Sequence, residues 1–468
     1  MNRSKTMAKK YVVPILLIIV AIFIVPLITK ATSEEYSDFL VEANSKSKIE
    51  LNLFDYWITN PEDDDALNMQ NITSLGINKN HLLLFTWGGS AGVGSYNRYT
   101  GGAKASQNIV KPTLDENGYP VTNIPEDKLV LERNNESLDY LFNPDIDVEY
   151  RKVYKNVKGF FRFNDEMGDY YSCFENFAHY NPETNSFSLY NIPAVRGQAN
   201  FGQFFPFADL NTVFKNQNGT LTDSGKGSGS GDLNHYLGLT IKTTFGQPVN
   251  GMMTNATTGK EQAMKATFTG DDDIWIFIDG VLVSDIGGIH AAISTTIDFS
   301  TGKVTIQPND PKKKSASTFY EYYLGEKYEA VANELDPNYI SNNLIKETDA
   351  EGNITRYTYK DDTIHELKIF YLERGHYDSN LEASFWPNIQ GNYQGKEEEE
   401  EEKPSVENPP TENPEDEESN IQNPEENNPE TSDNIELVRT ILCFGILIVA
   451  IGIVFKMIYN KNKSKNKL

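Results

Sequence analysis

Residues 268–290 read FTGDDDIWIFIDGVLVSDIGGIH. Two apolar runs, 274–278 and 281–283, flank the dipeptide Asp279-Gly280. An Asp-Gly pair between β-rich runs predicts a two-residue hairpin, because both central positions need a positive φ. Asp271, Asp272 and Asp273 stand directly before the first run, so a carboxylate cluster lies at the mouth of the hairpin. Adjacent like charges repel unless water or a hard cation with oxygen ligands screens them. The cluster is therefore the leading candidate binding site, and the rest of the chain reads as scaffold, tether and address.

The flanks of the hairpin continue in the same style. Strand-like runs occur at 49–57, 82–87, 235–245, 266–268, 366–372 and 381–385, and a second hairpin is expected over 293–306. In the run 366–372, Leu367, Ile369 and Tyr371 alternate onto one face. Residues 98–150 are polar and turn-rich, and residues 224–231, SGKGSGSG, read as a flexible loop. Residues 158–207 are dense in aromatics, which predicts a packed core in preference to a ligand platform. The one helical candidate is 318–345. With 25 Tyr and 25 Phe among short runs broken by Gly, Asn and Asp, the expected fold class is all-β, an antiparallel sandwich or barrel with long loop insertions. It would occupy about 49–390, with its core at about 232–390.

The ends of the chain carry different chemistry. Residues 1–31 combine a basic start, Arg3, Lys5, Lys9 and Lys10, with an uncharged apolar run over 11–28. This is the pattern of a signal peptide, or of an uncleaved N-terminal anchor. Residues 396–435 hold sixteen acidic and two basic residues, including six consecutive glutamates, followed by repeated Asn-Pro pairs. Such a segment cannot bury a core and is expected to be a solvated, disordered stalk. An apolar helix follows over 437–458, then a basic tail over 459–468, which predicts a membrane span with the body outside. The stalk supplies more than half of the formal charge of −25, and a chain this acidic is not expected to bind nucleic acid through its phosphates. Of the two cysteines, Cys443 falls in the span, so Cys173 has no partner for a disulfide in the body.

Two resemblances extend this reading. Asn428-Pro429-Glu430-Thr431-Ser432, followed by the apolar span and basic end, resembles a Gram-positive sortase sorting signal of the NPxT type. That resemblance implies cleavage between Thr431 and Ser432 by a sortase and attachment to peptidoglycan at the cell surface. A plain single-span anchor is the alternative. The body resembles fibro-slime domain proteins of the PA14-like β-barrel superfamily. The matching strings are FDY at Phe54, NFAHYNPETNSFSLYN from Asn176, Asn234-His235-Tyr236, GDDDIWIFIDGVLVSDIGGIH, TIDFSTGKV from Thr296, and His365 with IFYLERGHYDSNL from Ile369. The resemblance implies a surface-displayed adhesin that binds a glycan or polysaccharide. It further implies a Ca2+ held by Asp271 and Asp272 across a cis peptide bond, with open coordination positions for sugar hydroxyls. Asp273 and Asp285 are further candidate ligands, and Trp275 and His290 are candidate sugar contacts. Asp279 belongs to the hairpin turn, and Glu373-Arg374 reads as a buried structural ion pair, with a ligand clamp as the alternative.

Other functions draw less support from the residues. His235, His290 and His365 lie far apart in the sequence with no HxxxH or CxxC spacing, so zinc is not expected. No HExxH, P-loop or Cys–His signature is present, and no stretch remains for a separate catalytic domain. Adjacent aspartates do not supply the separated carboxyls of a glycosidase. The expectation is a binding protein without catalysis, with a structural matrix protein as the alternative and a glycan-acting enzyme third.

Overall fold

A computed structural model describes residues 35–56, 83, 104–125, 135–148, 151–191, 203–224, 233–255, 258–308, 319–375 and 378–386. All lie within the first of the two compact units of the chain, which ends at Glu397. The expected leader, stalk, C-terminal span and tail, together with Thr431 and Ser432, lie outside the described residues, as does the loop over 225–231. Among the described residues no helix is long and apolar enough to cross a membrane.

The body is mostly β-structure, in antiparallel sheets. The strands that build it are β1 (Glu50–Asp55), β2 (Lys152–Tyr154), β3 (Arg162–Asn164), β4 (Gly168–Ser172), β5 (Leu237–Gly246), β6 (Lys265–Asp271) and β7 (Asp273–Ile278). They continue as β8 (Val281–Ile286), β9 (Ile293–Asp298), β10 (Lys303–Pro308), β11 (Tyr320–Tyr323), β12 (Ile364–Glu373) and β13 (Asn380–Phe385). A six-stranded sheet has the order β8-β7-β12-β5-β1-β2, and a seven-stranded sheet the order β11-β10-β9-β6-β13-β4-β3. Both sheets are open-edged among the described residues, so the barrel half of the sandwich-or-barrel expectation is not what forms here. Smaller antiparallel pairs, such as 176–181 with 186–191, carry the aromatic stretch onto the body.

The sheets face each other across one core. Leu51, Leu239, Ile274, Ile276 and Ile369 from the six-stranded sheet pack with Phe268, Ile293, Val304, Ile306 and Ala383 from the seven-stranded sheet. The outer face of the six-stranded sheet is covered as well. Trp275, Phe277, Phe370 and Leu372 pack there against Ile109, Leu138, Leu141 and Phe142. This explains why 274–278 is continuously apolar. A strand buried on both faces has no polar side, and every residue of β7 is buried. The aromatic-dense stretch is core, as expected: the Phe160 ring lies 4.3 Å from Tyr171 and 4.9 Å from Phe187.

The expected helix over 318–345 does not form as one element. Its start becomes the edge strand β11, and two short helices follow at Leu324–Ala330 and Tyr339–Asn343. Pro337 disfavours helix at Asp336, and an edge beside β10 was open to a strand.

Two changes of sheet stand side by side at one end of the sandwich. The chain leaves the seven-stranded sheet at Asp271 and enters the six-stranded sheet at Asp273. It leaves the six-stranded sheet at Glu373 and returns to the other at Asn380. Asp271 pairs with Asn380, and Asp273 with Leu372, so the two corners are in register.

Candidate metal centre

Side chains alternate along a strand, and the two corners use this alternation to sort their charges. On β12, Tyr371 faces the shared core and Leu372 the outer cluster, so Glu373 points inward. On β7, Ile274 faces inward and Trp275 outward, so Asp273 points outward. The peptide bond between Asp271 and Asp272 is cis. Asp271, Asp272 and Glu373 come together: one carboxylate oxygen from each lies within 4.8 Å of the others. All three are buried, at 6%, 1% and 0% exposure.

The hydrogen bonds around these carboxyls leave them short of donors. Asp272 Oδ1 accepts the His290 N–H and its Oδ2 the Arg374 N–H, each at 3.1 Å. Asp271 Oδ2 accepts the Asn380 side-chain amide at 3.1 Å. Glu373 Oε1 accepts the Gly375 N–H at 3.0 Å, while its Oε2 has no hydrogen-bond partner among the described residues. The Tyr371 hydroxyl donates to the Asp271 carbonyl at 3.0 Å and lies 3.1 Å from the Ser379 hydroxyl. Gly375 packs close against the cluster: a Cβ there would sit 3.0 Å from Asp272 Oδ2 and 3.4 Å from Glu373 Oε1, so these side chains would have to give by a few tenths of an ångström.

Electrostatics follow from the burial. Desolvation, then the neighbouring Asp272, pushes the Asp271 carboxyl well above the usual carboxylate range. Desolvation also lifts Asp272 to about 7, with the Arg374 charge opposing the rise. Glu373 is raised by burial and then by both aspartates. Three carboxyls in one buried space can hold protons, or they can hold a cation that removes the repulsion. An all-oxygen donor set with an unpartnered carboxylate oxygen suits a hard cation such as Ca2+, which takes 6–8 oxygen ligands. Among the described residues this is the one group of acidic, histidine or cysteine side chains with a metal-compatible arrangement.

The predicted site residues divide sharply. Asp271 and Asp272 are in the cluster. Asp273 is not: its Oδ2 accepts Arg374 Nε at 2.6 Å, and its Oδ1 accepts the Gly288 N–H at 2.6 Å. Asp285 also lies outside the cluster. Its Oδ2 accepts the Asn108 N–H at 2.6 Å, staples residues 104–113 along the β8 edge, and burial raises this carboxyl to about 7. Trp275 is fully buried, edge-on to Phe142 with ring centroids 6.4 Å apart, so its faces are not offered to a sugar. His290 is 1% exposed; its backbone serves Asp272, and its ring Nδ1 lies 3.0 Å from the Ala291 carbonyl. Burial holds this imidazole down at about 4. Neither residue is a surface contact.

Glu373 is the member to which the sequence assigned a structural role in preference to a ligand clamp. Beside Arg374 it reads as half of an ion pair, yet Arg374 pairs across the sheet with Asp273, and both side chains are fully buried. The signal was present in the alternation of Leu367, Ile369 and Tyr371, which extends two residues further to Glu373 on the inward face. Gly88-Gly89-Ser90-Ala91-Gly92 has the GxSxG spacing of a nucleophile turn and lies outside the described residues.

The far end of β7 bears out the turn reading of Asp279 and adds to it. Asp279 and Gly280 have φ of 48° and 79°, the left-handed values a two-residue hairpin turn demands. Asp279 also accepts from the Tyr339 hydroxyl and from the Glu366 N–H at 2.8 Å, and its Oδ2 lies 2.6 Å from His365 Nδ1. Burial pulls this carboxyl up, but the His365 hydrogen bond and its other donors outweigh burial and hold it below the ordinary range.

Comparison with known proteins yields only short similarities. A segment of 45 residues is 49% identical to Protein psiD of Dictyostelium discoideum, covering 10% of this chain and 9% of that protein. Protein psiF of the same organism is 33% identical over 70 residues, 14% of this chain and 10% of the relative. Protein psiK is 58% identical over 33 residues, 7% and 4% respectively. The chain thus spans a tenth or less of the length of these curated relatives. No family model matches the chain, and no solved structure matches it.

Proposed function

We propose that this chain is a cell-surface β-sandwich adhesin that holds Ca2+ at Asp271, Asp272 and Glu373. The ion would be the point at which the hydroxyls of a surface glycan are bound. The observation that carries the reading is the convergence of three buried carboxyls, with one oxygen of Glu373 left without a hydrogen-bond partner among the described residues. Ca2+ would supply the missing positive charge, and coordination positions beyond the protein's own oxygens would remain for a diol or water. The resemblance of the body to fibro-slime proteins of the PA14-like superfamily supports the same reading. So does the pattern of both termini, with a leader or anchor, an acidic stalk, an apolar span and the NPETS string at 428–432. They support display on a Gram-positive surface, through a sortase and peptidoglycan or through a single membrane span. No catalysis is proposed.

A second reading has its own observation. The cluster is enclosed and bridges two sheet-changing corners, so the ion could serve only to tie β6–β7 to β12–β13. The protein would then act as a matrix component through protein contacts. Calorimetric titration of the full-length chain with Ca2+, followed by a glycan array with and without chelator, separates the two. Calcium-dependent glycan binding that is lost in Asp271→Asn/Asp272→Asn supports the adhesin. Calcium binding and stabilisation with a blank array support the structural ion, and no calcium binding at all sinks the ion in both readings and leaves a matrix role through protein contacts, which is indifferent to chelator.

A further inference from the structure

The buried pair Asp273–Arg374 occupies the outward side of the same two strand ends whose inward side carries Asp272 and Glu373. Each member is the immediate chain neighbour of a cluster residue. Arg374 Nε donates to Asp273 Oδ2 at 2.6 Å and Nη2 to Asp273 Oδ1 at 3.4 Å, a forked contact that limits rotation about the pair. The Arg374 main chain is part of the inward site as well, because its N–H donates to Asp272 Oδ2 at 3.1 Å. That N–H belongs to the peptide unit that begins at Glu373. Turning this peptide would move Glu373 and release Asp272 together. Asp273 Oδ1 also accepts the Gly288 N–H, two residues before the His290 N–H that holds the other oxygen of Asp272. The outward pair therefore includes one backbone donor to Asp272 and anchors, at Gly288, the segment that carries the other.

The pair also manages charge. Arg374 brings a guanidinium close to the cluster, since its own main-chain N–H holds Asp272 Oδ2. A bare guanidinium there would repel an incoming cation, and Asp273 cancels it across a contact from which water is excluded.

We infer that Asp273 and Arg374 are the positioning pair of the cation site: a clasp across the ends of β7 and β12 that sets the spacing of Asp272 and Glu373 while keeping the guanidinium charge from the ion. The inference rests on the proposed cation reading of the cluster and assigns the pair no contact with the ion. Groups that orient metal ligands change metal affinity by about 10–100-fold when removed, and that range is the expected effect.

The test is Ca2+ titration of the full-length chain in detergent, wild type against the double variant Asp273→Leu/Arg374→Met. Replacing both members of a buried pair by apolar side chains of similar size commonly preserves folding, so the fold survives while the clasp is lost. The expected result is a thermal transition in chelator close to that of the wild type and a Ca2+ Kd about 10–100-fold weaker. A wild-type Kd in the folded double variant overturns the inference and leaves the cation reading standing. If the double variant does not fold, Arg374→Lys serves, because it keeps the charge without the fork; roughly tenfold weaker binding supports the clasp, and an unchanged Kd overturns it. A wild-type chain that binds no Ca2+ overturns the cation reading, and the inference with it.

Discussion

Asp271, Asp272 and Glu373 should be separable from their neighbours by substitution. Glu373→Gln keeps size and hydrogen bonding but removes one of three charges, and it should weaken Ca2+ binding roughly tenfold or more, since affinity in oxygen sites follows ligand charge. Asp285→Asn should leave the Ca2+ Kd unchanged, because that carboxyl is committed to Asn108 outside the cluster; a comparable loss of affinity would restore it as a ligand. Trp275→Ala should destabilise the fold by about 3–5 kcal/mol through a cavity in the outer cluster, as read by denaturant unfolding. Three aspartates before a strand are visible in the sequence, but their roles are not. The residue beside Asp272 differs from it in pointing to the other side of the sheet, where Arg374, just past the end of β12, meets it.

The hairpin β7–β8 is held at both ends by groups from β12. At one end Leu372 pairs with Asp273, and at the other Asp279 binds the Glu366 N–H and His365. Asp279→Ala should therefore cost more than an ordinary turn substitution, about 1–3 kcal/mol from the buried His365 left without its carboxylate, as measured by chemical denaturation. A loss no larger than that of other exposed turn positions would show that the pair contributes little. The hairpin was legible because Asp-Gly between apolar runs has one cheap backbone solution. The helix expected over 318–345 was not, because local composition cannot reveal that the edge of β10 is open to another strand.

On the scale of the whole molecule, the acidic cluster sets a pH dependence of unusual sign. The folded chain keeps protons on Asp272 up to about pH 7, and on Asp271 and Glu373 above the usual carboxylate range, whereas the unfolded chain has already released them. These groups support stability fully at a pH below the unfolded carboxylate value, and the contribution is lost as the pH rises through about 7. In chelator, the Tm should fall between pH 5 and pH 8, and millimolar Ca2+ should reduce that fall, the part set by Asp285 outside the cluster remaining. A Tm that rises over the same range in chelator would contradict the placement of the carboxyls. At the termini, cell-wall fragments ending at Thr431 by mass spectrometry would support sortase processing, and a chain intact to Leu468 would point to the plain span.

Composition, alternation and turn chemistry were enough to determine an antiparallel β body, a hairpin at Asp279-Gly280, an aromatic core and an acidic C-terminal segment. Each is a local property, fixed by side-chain period, positive-φ turns or charge density along a few residues. Only the tertiary structure decided that Asp271 and Asp272 meet Glu373, that Asp273 belongs to Arg374, and that Trp275 and His290 are interior. Those outcomes depend on two corners about a hundred residues apart in the chain, brought into register where β6 pairs with β13 and β7 with β12. A carboxylate's role is set by which charges share its buried space, and that space exists only once the sheets have closed on it.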